Sequence, residues 1–174
     1  MAGRSIGFNA RAIFALKSDR MYRVYVIQDA LYLIRIGGQG GLDALTLTGG
    51  ALGGAVGAVL SSFLSRNPSK DDRRAASADL QGPQTLLGNH KHNMRVDATD
   101  IVETSIEPPA AFPQHGPHVG RWILTTREQK LTLQFETRED MVVALEHLPR
   151  LFGGQLKVNV EWNPRKGRFE KPKA

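Results

Sequence analysis

The chain has 174 residues, enough for one domain, or one domain with a long insertion, to bury a real core without disulfides or metal. Apolar residues make up 41% and charged residues 23%, the balance of a globular protein. The formal charge of +6 points to an acidic partner if there is one, and the lack of cysteine excludes a disulfide framework, thiol catalysis and thiolate zinc sites. The opening stretch MAGRSIGFNARAIFAL holds no apolar run of signal-peptide length, so a cytoplasmic location is expected.

Gly7 to Leu16 places Phe8, Ala10, Ala12, Phe14 and Leu16 at alternate positions, the period of a half-buried strand. After the turn signal Ser18-Asp19, Met21 to Gln28 reads as a second strand. Tyr22, Val24 and Val26 lie on one face and Arg23 and Tyr25 on the other. Asp29 leaves room only for a tight connection, so Ala30 to Ile36 forms a hairpin with it. That third strand is apolar on both faces, which predicts a place inside the sheet.

The GGQGG run at Gly37 to Gly41 then opens a different kind of sequence. Thr46 to Leu64 reads TLTGGALGGAVGAVLSSFL, with no charge and no proline. On a helix, Gly49, Gly50, Gly53, Gly54, Gly57 and Ser61 share one side. Leu52, Val56, Val59, Leu60 and Phe63 share the other. The glycine side permits close approach of a second backbone. Each glycine also costs about 1 kcal/mol against alanine in an exposed helix, so such a helix needs cover. Three kinds of cover stay open: a membrane span, for which about 20 residues suffice, insertion into a membrane without crossing it, or packing within a protein or an oligomer. Basic residues flank the stretch on both sides, Arg35 before and Arg66 after, and give no orientation.

Ser65 to Gln84 is rich in charge, serine and alanine, and reads as a mobile linker with a short helix near Asp79 to Leu87. Asn93 to Asp97 and Ile101 to Ile106 read as short strands around a turn at Ala98-Thr99-Asp100. A proline-rich loop follows. Arg121 to Thr126 and Leu131 to Glu136 form a hairpin. Thr137 caps a helix whose first turn carries Glu139 and Asp140, where the helix dipole favours anions. Met141, Leu145, Leu148 and Phe152 form its core stripe, and Gly153-Gly154 ends it. Leu156 to Trp162 alternates as a last strand.

These readings give an α+β protein, mostly antiparallel β. One domain spans 1–160, interrupted by an insertion at 38–89 that holds a Gly/Ala-rich helix at 44–65 and the linker at 66–84. A basic flexible tail covers 163–174.

The segments MYRVYVIQDALYLIRI, MRVDATDIVETSI and GRWILTTREQKLTLQFETREDMVVALEHL, taken in that order, resemble the pleckstrin-homology-like superfold, and the last resembles its bacterial members. The resemblance leaves out Gly37 to about Asn89. It implies a partly open barrel or sandwich of antiparallel sheets, capped at one end by the C-terminal helix. Phosphoinositide-binding members carry a basic motif across the first hairpin; Lys17, Arg20 and Arg23 lie near that place with a different spacing. Trp122 lies on a strand, where the family's tryptophan lies on the helix.

Four kinds of chemistry have candidate residues. Lys17, Arg20, Arg23 and Arg35, with Arg4 and Arg11, crowd the first strands and suit anionic headgroups. Few aromatics interleave with them, which argues against nucleic acid. His90 and His92, with His115 and His118, form two pairs that would make a zinc site if their loops met, although no known spacing is matched. No nucleophile elbow, phosphate loop or dinucleotide fingerprint is present, so no enzyme and no cofactor are expected. The leading expectation is a binding or scaffolding module at an anionic membrane surface, or one that self-associates through the glycine face. A metal-dependent enzyme and an integral membrane protein are the alternatives.

Overall fold

The computed structural model describes residues 6–15, 17–38, 69–111 and 116–173. Among the described residues there are ten strands and three α-helices: β1 (Gly7–Ile13), β2 (Arg20–Ile27), β3 (Ala30–Gly38), α1 (Lys70–Gln81), α2 (Pro83–Leu86), β4 (Met94–Asp97), β5 (Ile101–Glu107), β6 (Gly120–Thr126), β7 (Lys130–Phe135), α3 (Arg138–Phe152), β8 (Leu156–Val158), β9 (Glu161–Asn163) and β10 (Arg168–Glu170). The fold is α+β. An eight-stranded sheet runs in the order β4-β3-β2-β1-β7-β6-β5-β8, antiparallel except where β8 joins β5 in parallel. It does not close, so β4 and β8 are its edges.

Alternation along β1 buries Phe8, Ala10 and Ala12, while β6 and β7 bury Trp122, Leu124, Leu131, Leu133 and Phe135. These side chains share one core with Leu31 and Leu33 of β3 and Ile106 of β5. Strands far apart in the sheet order meet in that core, so the sheet curls around it. Helix α3 fills the remaining side through Met141, Ala144, Leu148 and Phe152, with Leu145 partly buried against the same cluster. The start of α3 is pinned twice. The Thr137 hydroxyl accepts the Asp140 N–H at 3.2 Å, and Asp140 Oδ1 accepts the Asn9 N–H from β1 at 2.7 Å. The helix stops at Gly153, whose φ of 52° suits glycine and whose N–H reaches the Pro149 carbonyl.

β3 is buried on both faces, as its composition requires. Its second face, with Met21 and Tyr25 of β2, forms a separate cluster covered by Ala75 and Ala78 of α1 and by Leu86 of α2. Of the mobile linker expected over 66–84, residues 70–81 and 83–84 are instead helical, and 66–68 lie outside the described residues. Lys70–Gln81 is a helix opened by a capping box, in which Ser69 and Asp72 bond each other's backbone N–H. It carries too few large apolar residues to show a stripe, because alanines let it lie close on the aromatic face of β2 and β3.

The tail is corrected as well. β9 and β10 pair as a hairpin, Phe169 is 5% exposed in the main core, and its ring stands edge-on to Trp162 at 5.0 Å. The last strand expected over Leu156 to Trp162 is split into β8 and β9. No helix among the described residues is long and apolar enough to cross a membrane. The Gly/Ala-rich helix expected over 44–65, with Gly49, Gly50, Leu52, Gly53, Gly54, Val56, Gly57 and Phe63, lies outside the described residues.

Candidate anion-binding site

Three chain segments converge at the open end of the β2–β3 hairpin. Arg20 begins β2 and lies over the Phe14 ring, 4.6 Å from its centre. Arg35 is near the end of β3. The third segment is the turn His90-Lys91-His92, reached from α2 through a short 3₁₀ turn at Leu87–Asn89.

Asn93 fastens that turn to the sheet. Its side chain accepts the Arg35 N–H at 2.8 Å and donates to the Leu86 carbonyl at 2.6 Å. The buried Tyr22 hydroxyl donates to the His92 carbonyl at 3.2 Å. Arg35 Nε donates to the Gly37 carbonyl at 3.3 Å, and one of its terminal nitrogens stands 2.9 Å from His90 Nε2. The His90 and His92 rings are 5.2 Å apart.

His90 has a donor on each side. Its Nδ1 faces the His92 backbone N–H at 3.1 Å, and its Nε2 faces the Arg35 guanidinium. A neutral imidazole has one lone pair and one N–H, so it accepts from only one of them. The cluster therefore holds more donors than acceptors. Its charges agree. Burial, then Arg35, Lys91 and Arg20, holds His90 below the ordinary histidine value. Burial, then Arg20, His90, Lys91 and Arg35, does the same for His92. Every charged neighbour that moves either ring is a cation, and a group supplying oxygen acceptors and negative charge would satisfy both deficits.

Of the expected anion-binding residues, Arg20 and Arg35 meet here, and His90 and His92 join them as donors. Lys17 is exposed in the nearby β1–β2 turn. Arg23 does not belong to the group. It donates to Asp79 of α1 at 3.0 and 2.8 Å and to Asn9 at 3.2 Å, with its side chain only 16% exposed. Period-two alternation placed it on the outer face, and α1 covers that face.

Of the four histidines expected to make a metal site, His90 and His92 stand together among the described residues. His118 lies instead beside β6, at 3.1 Å from the Gly120 carbonyl, and His115 is outside the described residues. No group of three or more metal-ligating side chains occurs among the described residues. Sequence reading missed Asn93 and Tyr22, whose bonds set the geometry. No local pattern flags them, because their partners lie 58 and 70 residues away.

Gly38, the last described residue before 39–68, pairs with Arg20 across the β2–β3 ladder. A Cβ on Gly37 would lie 2.6 Å from Asp71 Oδ1, so the end of β3 and the first turn of α1 touch. Gly38 has a φ of +128° against the Asp19 carbonyl, a place for glycine alone. No family model matches the chain, and neither does any curated protein or solved structure.

Proposed function

We propose that the protein is a non-enzymatic binding module of pleckstrin-homology-like architecture that associates with anionic lipid surfaces through Arg20, Arg35, His90, Lys91 and His92. The observation that carries the reading is His90 held between two donors inside a cluster of cations. A phosphate oxygen accepts from Arg35 and frees the ring to satisfy its other neighbour. The architectural part rests on two antiparallel meanders, β1 to β4 and β5 to β7, joined by the β1–β7 pairing, and on the capped helix α3.

The apolar sequence 46–64 favours a surface over a free anion as partner. Gly38, the last described residue before it, pairs with Arg20 of the basic cluster, which favours headgroup contact and apolar contact in the same part of the molecule. The protein would then reside in the cytoplasm and at its membrane. Glycines 49, 50, 53, 54 and 57, whose spacing would put them on one side of a helix, favour self-association as a companion activity.

Flotation with vesicles tests this. Binding is expected with phosphatidylserine-containing vesicles and not with phosphatidylcholine alone, and it weakens as salt rises. Lys91→Ala should lower the partition coefficient about fivefold, since one basic group near the surface contributes about 1 kcal/mol. Equal binding to neutral vesicles, or no effect of Lys91→Ala, overturns the assignment to this cluster. Light scattering on the same samples reports self-association, which Gly53→Leu and Gly57→Leu should reduce.

A further inference from the structure

A second site lies away from the basic cluster. A groove of about 480 Å³ runs between the Pro117–Val119 segment and the β1–β7 pair, lined by Arg11, Pro117, His118, Val119 and Glu136. That volume is typical of a small-ligand site. Among the described residues, two buried polar atoms on residues that line the groove have no hydrogen-bond partner: Arg11 Nε and His118 Nε2. His118 is 9% exposed. A buried polar atom left unpaired costs about 1–3 kcal/mol, so native proteins keep few of them. Finding two on the walls of one groove marks the place as built for a polar occupant.

The chemistry of that occupant follows from the donors and acceptors. His118 Nδ1 faces the Gly120 carbonyl at 3.1 Å, so Nδ1 carries the proton and Nε2 presents a lone pair. Burial, reinforced by Arg121, keeps this ring neutral, while the Gly120 carbonyl opposes them. Arg11 Nε is an N–H donor. A terminal nitrogen of Arg11 pairs with Glu136, which cancels the net charge and leaves a carboxylate acceptor at the rim. The groove thus offers one N–H, one imidazole lone pair and one carboxylate, with the side chains of Pro117 and Val119 as apolar walls. A simple anion would meet Glu136 and the His118 lone pair, and a simple cation would meet Arg11.

We infer that this groove binds a neutral carboxamide group, its carbonyl accepting from Arg11 Nε and its N–H donating to His118 Nε2 or Glu136. A peptide unit and an asparagine or glutamine side chain share this chemistry. Both orphan nitrogens are buried, so seating the amide requires the 116–119 segment to shift. Gly116, at a φ of +91°, gives it a pivot.

The test uses the whole protein and nitrogen-15 NMR of the His118 ring, titrated in parallel with acetamide, N-methylacetamide, acetate and guanidinium. Saturable shifts of the ring with acetamide, at least fivefold weaker with acetate and guanidinium, are expected. N-methylacetamide equal to acetamide indicates a peptide unit, and a clear preference for acetamide indicates a side-chain amide. Glu136→Gln should weaken acetamide binding severalfold, and His118→Phe should abolish the shifts of neighbouring amides. Should His118→Phe fail to fold, Glu136→Gln still decides, because its side chain is partly exposed. Acetate binding as well as acetamide, or a ring unmoved by every probe, overturns the inference.

Discussion

Single residues show how burial redirects a polar group from a surface role to a structural one. Arg23, Tyr25 and Asp79 form a knot between β2 and α1, with the Tyr25 hydroxyl donating to Asp79 at 2.6 Å. Burial and then Asp79 push the Tyr25 pKa far up, so the phenol stays protonated and keeps donating. Removing Asp79 leaves a shielded guanidinium and a buried hydroxyl without their main acceptor. Asp79→Ala is therefore expected to cost about 2 kcal/mol, discounted from the cost of a fully buried pair because the carboxylate is 37% exposed. The neighbouring Leu80→Ala, at a 44% exposed position, should stay within about 0.5 kcal/mol. Urea melts of the two variants check this, and equal midpoints would show that the knot adds nothing. Trp122 has the same logic inside the main core. Its indole N–H donates to Thr104 Oγ1 at 2.8 Å, which lets a polar atom and a wholly buried ring share one site.

Whole elements were legible in proportion to their large apolar side chains. β1, β6, β7 and α3 bury Phe, Leu, Trp and Met at the period of their own geometry, β2 and β3 bury residues on both faces, and each element lies in the region the pattern assigns to it. α1 buries alanines, and composition took its charged face for a linker. The β9–β10 hairpin is held by the burial of Phe169 and by Glu170, which accepts from Lys166, Asn163 and Arg168 at 2.8 Å each. Those bonds hold its carboxyl at about 2. Phe169 closes the end of the main core, so Phe169→Ala is expected to lower stability by about 3 kcal/mol in a denaturant melt. A cost under about 0.5 kcal/mol would restore the picture of a loose tail.

At the scale of the molecule, three histidines tie stability to pH. The folded pKa of His90, His92 and His118 lies below the ordinary 6.5 in each case, with burial the first cause. Above pH 6.5 neither the folded nor the unfolded chain carries protons on them, and the stability from keeping them neutral is complete. As pH falls below 6.5 the unfolded chain takes up protons first, and stability declines until the folded pKa values are passed. His118 should dominate, because His90 and His92 are partly exposed and water screens them. Thermal melts are expected to shift downward from pH 7.5 to 5.5, with a smaller shift in His118→Phe. A melting temperature that is flat over that range would contradict the account. The carboxylates Glu103 and Glu170, whose pKa values are also lowered, act in the same direction only below pH 4.5.

Residue pattern settled the local problems here: strand or helix, which face turns inward, where Thr137 starts a helix and where Gly153 ends it. Those choices depend on side chains a few positions apart, and the order of residues records them directly. It also marked Arg20, Arg35, His90 and His92 as chemically interesting, though for two different chemistries. Folding decided their grouping. Arg35 and His90 are 55 residues apart, and they meet because Asn93 and Tyr22 fasten the 90–93 turn to β3 and β2. The same folding removed Arg23 from the group by laying α1 over it, and set His118 beside the start of β6, apart from His90 and His92. Charge and hydrogen-bonding capacity belong to residues one at a time. Whether a group is paired, surplus or orphaned depends on distances between remote segments, and the packing of α1, α2 and α3 against the sheet sets those distances.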